Sequence, residues 1–201
     1  MNAVETTPKR SPVARTSWLA RLALALWAAA ALAYLAVFTL DLWVSYGLLA
    51  TPCAGPECHY QAITATEAAV LAGWGLSVPA YALTMLGVSV LPVLAFTALG
   101  LVMLARLYPQ PRSYLYALMP ITMPVLAITN FNVLAGAYPR LTVPLQLMVV
   151  LGHLLLVTFA LISPRGRFEP RWTAVLPVVA AAVGVYSTFL ADRFMLPVAQ
   201  P

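Results

Sequence analysis

The stretch Tyr81–Leu104, YALTMLGVSVLPVLAFTALGLVML, contains no charged side chain. It is longer than the roughly 20 apolar helical residues that cross the hydrocarbon core of a bilayer. The composition of the whole chain is similarly apolar, since 62% of its 201 residues are hydrophobic and 8% are charged. A water-soluble domain of this composition would expose more apolar surface than water tolerates. The chain is therefore predicted to lie in a membrane.

Four more apolar stretches are long enough to cross a bilayer as helices. They are residues 22–40, 114–133, 144–162 and 174–191. With the first stretch they predict an all-α fold, a polytopic membrane helical bundle of about five transmembrane helices.

The positions of Lys and Arg predict the orientation, because positively charged short loops stay in the cytoplasm. Two arginines, Arg140 and Arg193, fall on one side of the predicted spans, and nine basic residues fall on the other. The nine are Lys9, Arg10, Arg15, Arg21, Arg106, Arg112, Arg165, Arg167 and Arg171. The amino terminus is thus expected in the cytoplasm and the carboxyl terminus outside. This asymmetry accounts for the net charge of +5 and gives no reason to expect nucleic acid as a partner.

The predicted spans divide the chain into a transmembrane helical domain, residues 18–196, and two tails. Residues 1–17 are expected to be a disordered cytoplasmic tail, and residues 197–201 form a short tail at the other end. Within the domain we expect an extracytoplasmic cysteine loop over 49–63, an interfacial helix over 64–76 and a cytoplasmic turn over 164–172.

The interfacial helix has a recognisable start. Thr64 can cap the first backbone amides, and Glu67, three residues later, can return the hydrogen bond in a capping box. Trp74 and Tyr81 suit the headgroup level, where amphipathic rings are favoured. Gly75 lies where the chain must bend into the second span.

The cysteine loop holds both cysteines of the chain, Cys53 and Cys58. On the oxidising side of the membrane, a disulfide that closes a small loop is the simplest prediction. Covalent haem is an alternative, because Cys58 and His59 end the segment as a haem attachment site does, although four residues rather than two separate the cysteines. A thiol-redox switch is a further alternative. No metal site is predicted.

Polar residues within the spans are candidates for function because they are costly there. Asp41 follows the first apolar run and is predicted to be a solvated helix end, with a binding role as the alternative. His153 is predicted to be neutral and hydrogen-bonded across a helix interface, and Asn130 to link helices. The pairs Met119-Pro120 and Met123-Pro124 place prolines four residues apart, which predicts a kink and a small pocket.

The sequence carries no recognisable catalytic motif. It has no glycine-rich phosphate loop, no cluster of histidine with carboxylates and no nucleophile spaced to meet a base, and its Asp and Glu number six in all. We therefore expect a protein that is not an enzyme.

Two segments resemble a known family. The first resembles the start of the membrane-spanning input region of bacterial sensor histidine kinases, through Cys53, Cys58, Gln61, Thr64, Glu67-Ala68-Ala69, Leu71, Gly75-Leu76-Ser77 and Tyr81-Ala82-Leu83. The second, Pro164–Thr173, is similar to the Pro-Asp-Gly-Arg-Phe-Val-Pro-Arg-Trp-Thr turn of the same regions, with Arg165 in place of Asp and Glu169 in place of Val. Dimerisation and ATP-binding domains follow these regions in the kinases, and this sequence carries neither, so we expect either a standalone relative of the input regions or an incomplete chain.

The resemblance implies a sensory input module in the inner membrane of a bacterium, without a cofactor. Its stimulus-sensing residues would be His59, Tyr60, Gln61, Glu67, Trp74, Tyr81, Asn130 and His153. Its cytoplasmic turn would face a signalling partner or a second copy, through Arg165, Gly166, Arg167, Phe168, Arg171 and Trp172. The alternative function is a membrane redox protein that works through Cys53, Cys58 and His59, as a thiol switch or as a haem-binding electron carrier. A third alternative is a purely structural subunit of a larger complex.

Overall fold

The computed structural model describes residues 18–53, 62–108, 110–163 and 170–189, and all the regular elements in these ranges are helical. This confirms the all-α class. The α-helices are α1 (Trp18–Ala50), α2 (Ala65–Gly73), α3 (Val78–Leu107), α4 (Pro111–Ile128), α5 (Phe131–Ala137), α6 (Thr142–Ile162) and α7 (Leu176–Phe189). Short 3-10 helices, Pro139–Leu141 and Arg171–Val175, precede α6 and α7. Both predicted tails, 1–17 and 197–201, lie outside the described ranges.

Within the described residues, three helical segments are long and apolar enough to cross a membrane: Ala20–Ala50, Val78–Leu107 and Pro139–Ile162. They lie where the first, second and fourth spans are predicted. A fourth crossing results if α4 and α5 count as one bent span. The predicted count of about five is not confirmed, because α7 has 14 described residues, about 21 Å of helix, and falls short of a bilayer core.

Helix α4 is the centre of the bundle. It packs against α1, α3 and α6, whereas α7 packs against α6. Its buried side chains form two clusters with those of α1 and α3. One cluster contains Trp27, Ala31, Ala117, Leu118 and Ile121, and the other contains Tyr34, Phe38, Val93 and Val125.

Two glycines allow the helices to approach closely. A Cβ atom on Gly100 of α3 would lie 2.5 Å from the carbonyl oxygen of Ala117 and 3.1 Å from Cγ1 of Ile121, both on α4. A Cβ on Gly152 of α6 would collide with the side chain of Leu126. Small residues at such crossings are typical of membrane bundles, where van der Waals packing between helices supplies much of the association energy.

The predicted third span, 114–133, is broken. Helix α4 ends at Ile128, and α5 leaves it at an angle of 70°. Asn130 is the N-cap of α5, and its side-chain oxygen accepts a hydrogen bond from the Val133 amide at 3.2 Å. Asparagine favours such a cap over a helix interior because its side chain competes for backbone groups. This bond lies within the segment of Asn130 itself, and the predicted role of its side chain in linking helices stays a prediction.

His153 on α6 also differs from the prediction. Its Nδ1 atom lies 2.8 Å from the carbonyl oxygen of Val149, one turn earlier in the same helix, and its side chain is exposed. The expected bond across a helix interface is therefore wrong. A carbonyl one turn away is within reach of the imidazole, so the bond needs no neighbouring helix.

Candidate functional site

Two adjoining cavities lie at the end of the bundle where α1 stops and α3 starts, which we call the Cys-loop end. The cavity that contains Glu67 and Trp74 has a volume of about 400 Å³. The cavity that contains Asp41 has a volume of about 270 Å³. We call them the Glu67 cavity and the Asp41 cavity. Leu49 and Tyr81 line both, so the two form one cleft between α1, α2 and α3.

Helix α2 forms one wall of the cleft, and its predicted capping box is present. The Thr64 amide and hydroxyl both donate to Oε2 of Glu67 at 2.8 Å, and the Glu67 amide donates to Oγ1 of Thr64 at 3.3 Å. The hydrogen bonds from the Thr64 backbone and side chain lower the pKa of Glu67 below its ordinary value of 4.5. Glu67 thus presents a stable negative charge to the cavity.

The turn after α2 fixes Trp74 at the mouth of the cleft. Gly75 takes the left-handed conformation, with φ of 74°. The Leu76 amide donates to the carbonyl of Leu71 and the Gly75 amide to that of Ala72, each at 3.0 Å. This is a Schellman motif, and glycine fits its left-handed position without steric cost. Trp74, just before it, is 74% exposed while it also lines the Glu67 cavity.

The two ends of the cysteine loop meet beside this helix. The Cys53 amide donates to the carbonyl of Ile63 at 2.7 Å, and Cys53 forms a backbone bridge with Thr64. Cys53 is thereby held against the start of α2. Within the described part of the chain no cysteine is free. Cys58, His59, Tyr60 and Gln61 lie outside the described residues, so the Cys53–Cys58 disulfide stays a prediction, as does the haem alternative.

Asp41 lies at the inner end of the cleft. It is 5% exposed, so the predicted solvated helix end is wrong. One carboxylate oxygen accepts a hydrogen bond from the backbone amide of Asn130 at 3.2 Å, and the side chain of Ser45, one turn later in α1, also bonds to the carboxylate. The Asn130 amide is available to Asp41 because the break between α4 and α5 leaves that amide outside the hydrogen bonding of either helix. The one sequence signal for this break is Asn130 itself, a polar residue at the end of an apolar run.

The cleft gathers three of the predicted sensing residues, Glu67, Trp74 and Tyr81. Asn130 contacts the cleft through Asp41, whereas His153 lines neither cavity. Of the six turn residues predicted to face a partner, Arg165, Gly166, Arg167 and Phe168 lie outside the described residues. Arg171 begins the second 3-10 helix, and Trp172 is 65% exposed.

A third cavity, of about 460 Å³, opens between α3, α4 and α6. The two predicted Met-Pro pairs, Met119-Pro120 and Met123-Pro124, line it together with Phe96 and Phe159. This confirms the pocket predicted from the prolines. Each proline removes an amide donor from α4 and so frees a carbonyl one turn earlier.

Comparisons of the chain with protein-family models, with curated proteins and with solved structures found no match.

Proposed function

We propose that this chain is the input module of a membrane signalling system. A stimulus is received in the cleft at the Cys-loop end, and small helix shifts carry the response to the opposite end of the bundle. The Cys-loop end faces out of a bacterial inner membrane, the amino terminus lies in the cytoplasm, and α7 completes a fifth span. The segment around Arg165 and Trp172 then faces a cytoplasmic signalling partner or a second copy of the chain.

The hydrogen bond between Asp41 and Asn130 is the observation that carries this proposal. Asp41 lines the cleft, and Asn130 is the hinge residue between α4 and α5. Because α4 is the helix that contacts α1, α3 and α6, a change at this hinge reaches the whole bundle. The charge of Glu67 and the exposed ring of Trp74 give the cleft features that a purely structural subunit does not need. The sequence resemblance to sensor-kinase input regions points the same way.

Spin labels at the end opposite the cleft test this coupling. Ala105→Cys on α3 and Ser163→Cys after α6 carry the labels in proteoliposomes, and pulsed electron paramagnetic resonance measures the distance between them. The parent chain must first be shown to take up no label. Asp41→Leu, which leaves the Asn130 amide without its acceptor, is then expected to shift the distance distribution.

Thr39→Val is the matched control on α1. The Thr39 hydroxyl donates to the Leu35 carbonyl of its own helix at 2.8 Å and is exposed, so its loss should leave the distribution unchanged. Superimposable distributions for Asp41→Leu and the parent would refute the coupling. A stable partner that copurifies after mild solubilisation, together with that result, would favour a structural subunit.

A further inference from the structure

We propose that the Asp41 cavity binds a small organic ammonium ion, with the Asp41 carboxylate as its counter-ion. This inference rests on the proposed function, since it names the ligand class for the same cleft. It is drawn from the charge, the lining and the size of the cavity.

The charge argument starts from the burial of Asp41. A carboxylate within a membrane span is costly, and such groups pair with a cation or face a hydrated cavity. Asp41 is 5% exposed and lines the cavity, and in the part of the chain that the structure describes its hydrogen-bond partners are Asn130 and Ser45. Neither is a cation. A carboxylate offers about four lone-pair sites, so two neutral donors leave lone pairs and negative charge that can face a bound cation.

The lining of the cavity suits an organic cation. Ser45 and Ser89, which carry hydroxyl groups, line the cavity with Asp41, and so does Tyr81, whose aromatic ring is of a type that attracts cations. The remaining walls are apolar and come from Leu42, Leu49, Met85, Leu86 and Ile128. A hard metal ion such as Ca²⁺ takes six to eight oxygen ligands and gains nothing from apolar walls. A charged nitrogen with a hydrocarbon body uses both parts of this lining.

The size and the entrance limit the ligand further. A volume of about 270 Å³ is just below the range of roughly 300 to 1,000 Å³ for drug-sized ligands, which indicates a smaller molecule. Leu49 and Tyr81 are shared with the Glu67 cavity, whose carboxylate is held in its charged form by Thr64. A cation that approaches the Cys-loop end therefore meets one negative charge before it reaches the second.

Equilibrium dialysis with the full chain in phosphatidylcholine nanodiscs tests the proposal. Benzyltrimethylammonium is the probe, and neopentylbenzene, which has carbon in place of the charged nitrogen, is its neutral isostere. Nanodiscs with the wild-type chain are expected to retain more benzyltrimethylammonium than empty nanodiscs, and neopentylbenzene should not displace it. Asp41→Asn, which keeps an oxygen acceptor for the Asn130 amide, is expected to weaken binding at least tenfold, and Thr39→Val less than twofold.

Three results would overturn the proposal: retention equal to that of empty nanodiscs, equal retention by Asp41→Asn, or equal displacement by the neutral isostere. If Asp41→Asn fails to fold, Leu86→Trp fills the cavity while it keeps the carboxylate, and binding should be lost as well. Failure of binding is distinct from failure of the proposed function, because the spin-label experiment measures the coupling of Asp41 to the far end without any ligand.

Discussion

The hydroxyl of Tyr34 donates a hydrogen bond to the carbonyl oxygen of Met148 at 2.8 Å and so joins α1 to α6, 114 residues later in the chain. Tyr34 is 1% exposed and packs in the cluster that contains Phe38, Val93 and Val125. Hydrogen bonds between membrane helices contribute about 0.6 kcal/mol on average and up to about 1.7 kcal/mol. This bond and the packing of the Tyr34 ring together hold one face of α1 against the bundle.

Tyr34→Phe should destabilise the protein by about 0.6 to 1.7 kcal/mol, because it removes this bond and leaves the ring in place. The free energy of unfolding in mixed detergent micelles is the measurement. Tyr186→Phe on α7 is the control, since that ring is 53% exposed and its change should be close to zero. Equal losses in both variants would contradict the role of the Met148 bond.

Gly100→Ala should destabilise the bundle by about 1 to 3 kcal/mol, the usual cost of overpacking. Its new methyl group would meet the Ala117 carbonyl, a backbone atom that cannot move aside without shifting α4. Gly87→Ala on the same helix has open space around the new methyl and should be neutral or stabilising by up to about 1 kcal/mol. Thermal unfolding of the two variants in detergent distinguishes them, and a Gly100→Ala protein as stable as Gly87→Ala would refute the close crossing.

The stability of α2 should depend on pH through Glu67. Its pKa is lower in the folded protein than the ordinary 4.5, so its contribution is fully present above pH 4.5 and is lost as the pH falls through the lowered value. Hydrogen-exchange protection of the Ala68 amide, which donates to the Thr64 carbonyl at 2.9 Å, reports this change. Protection corrected for intrinsic exchange should fall below pH 4.5 in the wild type and stay constant in Glu67→Gln. A parallel fall in both proteins would assign the effect to another group.

The intact mass of the chain under non-reducing conditions, after alkylation of free thiols, tests the predicted pairing of Cys53 with Cys58. A disulfide should give a mass about 2 daltons below that of the reduced chain and no alkylation. A gain of about 600 daltons with a Soret band would mean covalent haem and would replace the sensor proposal with electron transfer. Alkylation of both thiols would contradict both the Cys53–Cys58 disulfide and covalent haem, since each of these leaves the two cysteines unable to react.

Local chemistry in the sequence was sufficient to predict α2. The capping box of Thr64 and Glu67 and the left-handed Gly75 act within a few residues, and all three are present. The long apolar helices were predictable for a similar reason, because hydropathy needs no tertiary partner. The pocket beside Pro120 and Pro124 followed from the missing amide donors.

Tertiary relations were not predictable in this way. The burial of Asp41 depends on an amide 89 residues later, which becomes available because α4 stops before Asn130. A prediction from hydropathy alone runs the third span through that break, because the residues on both sides of the break are apolar. His153 was placed at an interface because it is polar, whereas the bond to Val149 satisfies its Nδ1 atom within α6.

The break after α4 also makes the helices unequal in length. Helix α4 has 18 residues, about 27 Å, whereas α3 has 30 residues, about 45 Å. In a thick bilayer the bend at Asn130 is submerged in hydrocarbon, and in a thin one it rises to the headgroups while α3 must tilt to hide its excess length. Because the Asn130 amide is a hydrogen-bond partner of Asp41, the hydration of Asp41 is expected to change with the thickness of the surrounding lipid.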